Sequence, residues 1–125
     1  MAEAERLICR ADEVVERGQG VRFTVTSHGQ DTAAFLVRYA GRVYAYLNRC
    51  GHVPTELDWQ PGQFFDGDGI YLICAVHGAL FAPDTGACLY GRCAGRGLQP
   101  LLVIERDGAI YIDDLQPVLT GMPRF

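Results

Sequence analysis

An all-β fold of about eight to ten short antiparallel strands is what this sequence predicts, and three observations carry the prediction. Glycine is frequent, 15 of 125 residues, and it cuts the chain into short segments. Several of those segments alternate apolar and polar residues with period two, as a strand with one buried face does. Two dipeptides, Ala40-Gly41 and Asp107-Gly108, lie between β-rich runs and read as hairpin turns.

Taken in order, the N-terminal stretch MAEAERLICRADEVVERG is charged at Glu3, Glu5, Arg6, Arg10, Asp12 and Glu13, and only DEVVER resembles a helical turn. Val21, Phe23 and Val25 then alternate with Arg22, Thr24 and Thr26, which predicts a half-buried strand. The run AAFLVRYAGRVYAYLN predicts two strands about Ala40-Gly41. Asp66-Gly67-Asp68-Gly69 is a turn leading into the strand-like IYLIC, and Pro83-Asp84-Thr85-Gly86 is a turn between LFA and ACLY. PLLVIERDGAIYI closes the series with the strongest hairpin signal in the chain. With no repeat, linker or low-complexity segment, residues 1–125 read as one domain.

Composition narrows the partners. The hydrophobic fraction of 49% suffices for a modest core, and the net charge is −4 with no Lys/Arg-rich run. Nucleic acid and anionic membrane are therefore not expected as partners. No apolar stretch is long enough for a signal-peptide core or a membrane span, so a cytoplasmic location is expected. There are five cysteines, at 9, 50, 74, 88 and 93. An odd number in a reducing compartment argues for metal ligation or free thiols over a disulfide framework.

Two short pieces stand apart: Cys50-Gly51-His52 and Cys74-Ala75-Val76-His77-Gly78, with 21 residues between His52 and Cys74. Each follows a strand-like run, where a sheet can hold a metal loop. Thiolate and imidazole both bind iron and zinc. A C-x-H paired with a C-x-x-H is the arrangement in which two Cys hold one iron of a [2Fe–2S] cluster and two His the other. Exchanging two thiolates for neutral imidazoles takes the oxidised site from −2 to neutral. The reduction potential then rises to roughly −150 to +300 mV, against about −400 mV for all-thiolate plant-type sites. On the residues alone, a tetrahedral zinc site stays open, although zinc fingers usually group like ligands together. So does a set of unrelated core thiols and histidines.

The segment from Asn48 to Gly95 resembles a Rieske ferredoxin, through NRCGHVPTELDW and CAVHGALFAPDTGACLYG, followed by the hairpin LLVIERDGAIYI. The likeness runs from about Val21 to Ile112. It implies the Rieske fold, an antiparallel β-sandwich or partial barrel with a small cluster-binding β subdomain at about 48–95. It also implies one [2Fe–2S] cluster per chain, with Cys50 and Cys74 on the buried iron and His52 and His77 on the outer one. The exposed imidazoles would be the electron exit, and their ring nitrogens should titrate. The function implied is a soluble one-electron carrier between a flavin-containing reductase and an oxygenase or similar acceptor, with no turnover of its own. Two alternatives are the small Rieske subunit of a nitrite-reductase-like complex and a non-redox zinc-binding interaction module.

Departures from the respiratory branch of the family bear on the potential. That branch has a serine two residues after the second ligand histidine and a tyrosine four after, both donating hydrogen bonds near the cluster. Here Ala79 and Phe81 stand there, and neither side chain donates. Donors favour the more negative reduced state, so a low, ferredoxin-like potential is expected. The branch's loop-tying disulfide is also impossible, because its positions are Thr55 and Val76. A Gly-Pro-Cys loop of many relatives is Gly91-Arg92-Cys93 here, where Arg92 is either an electrostatic neighbour of the cluster or a solvated side chain. Cys88 and Cys93 could bridge, although the compartment favours reduced thiols. Cys9 is expected as an apolar filler, His28 as a surface residue, and Trp59, Phe64, Phe65 and Tyr71 as packing.

Overall fold

The run AAFLVRYAGRVYAYLN is apolar at nearly every position, and a strand pair of that composition needs cover on both faces. The computed structural model describes residues 5–27, 30–48, 57–58, 60, 62–74, 78–91 and 97–113, and it places this run at the centre. Among the described residues are ten strands: β1 (Glu5–Arg10), β2 (Val21–Ser27), β3 (Gln30–Tyr39), β4 (Arg42–Leu47), β5 (Leu72–Ile73), β6 (Leu80–Phe81), β7 (Cys88–Tyr90), β8 (Pro100–Leu101), β9 (Val103–Arg106) and β10 (Ala109–Asp113). They pair antiparallel into three sheets, ordered β2-β3-β4-β8, β1-β10-β9 and β5-β6-β7. The all-β, antiparallel fold class expected from the sequence is the one found.

The four-stranded sheet lies between the other two, and strand periodicity divides its residues between two cores. Ala34, Leu36, Ala45 and Leu47 face one side, where they join Cys9, Val14, Val25, Leu101, Ile110 and Ile112. Phe35, Val37 and Tyr46 face the other, with Leu57, Phe64, Leu72, Cys74, Ala79, Phe81 and Leu98. Phe35 stacks on Phe64 with ring centroids 3.9 Å apart, locking β3 to the segment that leads into β5. Cys9 is the apolar filler expected, and burial, with Glu13 second, pushes its thiol up to about 11. Such a thiol is unreactive at neutral pH. No helix among the described residues is long and apolar enough to cross a membrane.

Both expected hairpins form. Ala40 and Gly41 have φ of 54° and 81°, and Asp107 and Gly108 have 54° and 77°. Two successive left-handed residues turn the chain in the sense that matches strand twist. Alanine is a poor occupant of that region, and a side chain from elsewhere compensates. The Glu16 carboxylate accepts the Ala40 and Gly41 N–H groups at 2.6 and 2.9 Å. The Gly41 bond, then the Ala40 bond, favours the ionised form and holds this carboxyl below the ordinary glutamate range. Arg38 ties the N-terminal region to the same place. It donates to the Val14 and Ala11 carbonyls at 2.9 and 3.0 Å and pairs with Glu105 at 2.9 Å.

Three local expectations are corrected. The turn expected in DEVVER is a 3-10 turn over Ala11–Glu13, and the chain is extended again by Val14. The N-terminal residues Glu5–Arg10, where no strand is expected from the sequence, form β1 against β10. A register shift between Leu7 and Cys9 breaks its alternation, which hid the strand. Cys88 is disulfide-bonded rather than a reduced thiol, with its partner outside the described residues. It lies half-buried on the short edge strand β7. Phe64 and Phe65 pack as expected, whereas His28 and Trp59 lie outside the described residues.

Candidate metal centre

The first motif follows β4. Its last residue, Leu47, donates to the Gln99 carbonyl at 2.9 Å, and the Asn48 N–H donates to Ala33 O at 2.8 Å. The chain is therefore fixed up to Asn48, after which come residues 49–56 with Cys50 and His52. At the far end of that segment the Leu57 N–H donates to Asn48 Oδ1 at 2.8 Å. Asn48 Nδ2 donates to Asp58 Oδ1 at 3.0 Å. Asp58 Oδ2 accepts the Gly62 N–H at 2.8 Å and meets Arg22 Nε at 3.3 Å. Asn48 and Asp58 are the buried polar residues of the described chain, so the bonds among Asn48, Leu57, Asp58 and Gly62 are made away from water. Sequence reasoning missed this network, because two polar residues ten apart have no periodicity. The one available signal was an Asn and an Asp flanking a ligand motif inside otherwise apolar surroundings.

The second motif sits on the β5–β6 hairpin, whose pairs are Leu72 with Phe81 and Ile73 with Leu80. Cys74 is the first residue past β5. Its N–H donates to Ala79 O at 3.0 Å, and its carbonyl accepts the Gly78 N–H at 2.7 Å. These two bonds close the loop that carries His77. Gly78 has φ +74°, and a Cβ there would meet nothing within 4 Å, so backbone conformation alone calls for glycine. Cys74 is fully buried and outside any disulfide. Ala79 and Phe81 are buried beside it in one core, and neither carries a donor. Gly91, the last described residue before 92–96, packs on this loop so closely that a Cβ would fall 2.8 Å from the Ala79 Cα.

Leu57, which ends the first segment, and Cys74, which starts the second, belong to the same buried core. Both loop bases therefore rest on one packed platform. Cys74 is placed as a ligand to a buried iron requires: a sulfur donor screened from water on a backbone held at both ends. The two motifs together offer two thiolates and two imidazoles, the donor set that a mixed-ligand [2Fe–2S] cluster takes. Cys50, His52 and His77 lie outside the described residues, as do Arg92 and Cys93, and Cys74 is the expected ligand among the described ones.

The family model of the Rieske [2Fe–2S] domain matches residues 5–111. Among solved structures, the chain resembles the ferredoxin of carbazole 1,9a-dioxygenase from Nocardioides aromaticivorans IC177. The TM-score is 0.68 and the identity 23%, over 87% of this chain and 96% of that one. It also resembles a chain in a complex of reduced oxygenase and oxidised ferredoxin of carbazole 1,9a-dioxygenase, with TM-score 0.68, 21% identity, and 89% and 94% of the two chains covered. Dicamba monooxygenase bound to dicamba matches at TM-score 0.65 and 26% identity, over 94% of this chain but 36% of its own. No curated protein matches. The match across residues 5–111 places the chain in the Rieske [2Fe–2S] domain family, whose cofactor is a single [2Fe–2S] cluster.

Proposed function

We propose that this chain is a ferredoxin-like, one-electron carrier in which Cys50 and Cys74 ligate the inner iron and His52 and His77 the outer one. The domain is single, with the cluster-binding part at about 48–95. The observation that carries the reading is the common platform: both ligand-bearing segments spring from one buried core, and the Cys74 thiol lies inside it. The cluster supplies one-electron redox chemistry, and the protein's part is to hold four donors rigidly and keep water from the inner sulfur. The acceptor is an oxygenase-type protein, a reading supported by the likeness to the ferredoxin of a carbazole dioxygenase. The donor is a flavin-containing reductase, which can split its electron pair into single steps. A spectroelectrochemical titration tests this: a reversible couple with a one-electron Nernst slope is expected, and an irreversible or two-electron transition contradicts it.

The potential is set low by what surrounds Cys74. Ala79 pairs with Cys74 across the hairpin, and strand alternation puts Phe81 on the same face as Ala79. Both side chains favour neither redox state by hydrogen bonding. Phe81→Tyr adds a donor at the ring end and is expected to raise the midpoint, by about 40 mV for each 1 kcal/mol of preference for the reduced state. Voltammetry on the two proteins checks the sign, and an unchanged or lowered midpoint contradicts it.

A further inference from the structure

The Asn48–Asp58 pair does more than fill hydrogen-bonding capacity. Asn48 precedes residues 49–56 and Leu57 follows them, and one buried amide joins the two ends through Asn48 Oδ1 and the Leu57 N–H at 2.8 Å. The other half of that amide is not free to turn, because Nδ2 is committed to Asp58 Oδ1 at 3.0 Å. Asp58 is in turn oriented by the Gly62 N–H and Arg22 on its second oxygen, at 2.8 and 3.3 Å. Every polar atom of the pair thus has one assignment of donor and acceptor. A carboxylate at 48 would face the Asp58 carboxylate, and an amide at 58 would set a donor against either Asn48 Nδ2 or the Gly62 N–H.

We propose that Asn48 and Asp58 are positioning residues for the cluster: a buried clamp that closes the base of the Cys50/His52 loop and holds those two ligands in register with Cys74. This rests on the reading of Cys50 and His52 as ligands. Groups that orient metal ligands from behind change metal retention strongly when altered. Breaking the clamp therefore loosens one loop of the site while the strands on either side stay paired.

Reversing the pair tests it. Asn48→Asp combined with Asp58→Asn keeps all four bonds. The carboxylate then at position 48 accepts from the Leu57 N–H and from the amide at position 58, whose oxygen accepts from Gly62 and Arg22. Asn48→Asp breaks the bond between the two side chains, and Asp58→Asn breaks either that bond or both contacts on its second oxygen. Asp58→Asn adds no charge and keeps the volume, so it carries the test should Asn48→Asp fail to fold. Reconstituted proteins are compared by the rate of iron release to a chelator, by midpoint potential, and by amide exchange at Leu57. Each single variant is expected to lose iron about 10–100-fold faster, with a shifted midpoint and faster Leu57 exchange, and the double variant to return near wild type. Single variants that hold iron as long as wild type, at an unchanged midpoint, overturn the clamp, as does a double variant that restores nothing. Wild-type protein that takes up no iron overturns the ligand reading, and the inference with it, whatever Leu57 exchange shows.

Discussion

Cys74→Ala is expected to yield protein without bound iron, acid-labile sulfide or visible absorption, yet still folded. The thiolate is one of two sulfur donors to the inner iron in the arrangement proposed, and no other described sulfur shares its core except Cys88, which is disulfide-bonded. The methyl left behind fills most of the space, so the local cost is a small void, about 1 kcal/mol. The second core, from Cys9 to Ile112, includes no residue of the hairpin loop and keeps the first two sheets together. Iron and sulfide analysis beside far-ultraviolet circular dichroism checks both halves. A Cys74→Ala protein with a full complement of iron would remove Cys74 from the ligand set.

Gly86→Ala is expected to be among the most damaging single-methyl additions. Gly86 ends the turn between β6 and β7 at φ +77°, with its N–H donating to Ala82 O at 2.7 Å and its carbonyl accepting from Leu98 at 2.8 Å. A Cβ there would lie 2.8 Å from Tyr46 Cε1 and 3.1 Å from Leu98 O. Tyr46 cannot readily move aside. It is buried in the shared core, and its Oη donates to the Pro83 carbonyl at 2.8 Å. Burial, with Asp84 next, pushes that phenol well above the ordinary tyrosine range, so it stays a donor at any working pH. Left-handed strain of roughly 1–2 kcal/mol adds to overpacking of roughly 1–3 kcal/mol. The melting temperature should fall by about 10 °C or more. Gly41→Ala is the control: φ is +81° but nothing lies within 4 Å of the new Cβ, so strain alone remains. Calorimetry showing equal losses at the two positions would contradict the packing half of this account.

How much of this was legible in the sequence differs from place to place, for physical reasons. The hairpin at Asp107-Gly108 was readable because two consecutive left-handed residues demand a narrow chemistry, and that at Ala40-Gly41 because a glycine interrupts two β-rich runs. The central strands were readable as strands, but not as the middle layer. Phe35 and Val37 go to one core and Ala34 and Leu36 to the other, so both faces are apolar and the sequence shows a run instead of an alternation. β1 escaped notice because its irregular register with β10 erases the period. IYLIC promised more strand than the two residues of β5, since Asp66 Oδ1 takes the Ile70 N–H at 3.0 Å and keeps the start of that run in the turn. At the site, the motifs offered the candidate ligands Cys50, His52, Cys74 and His77 through residue type and spacing. The supporting pair Asn48 and Asp58 stayed hidden, because it is joined only by the return of the chain after the loop.

The proposed centre has mixed ligation, sulfur on one iron and imidazole on the other. The most direct measurement is electron paramagnetic resonance of the dithionite-reduced, anaerobically reconstituted protein, with the nitrogen hyperfine couplings resolved by pulsed methods. A spin-½ signal carrying couplings from two imidazole nitrogens, with one of them absent from His52→Cys, is the result predicted. A colourless zinc protein, or an iron–sulfur signal without nitrogen coupling, would contradict the account at its root.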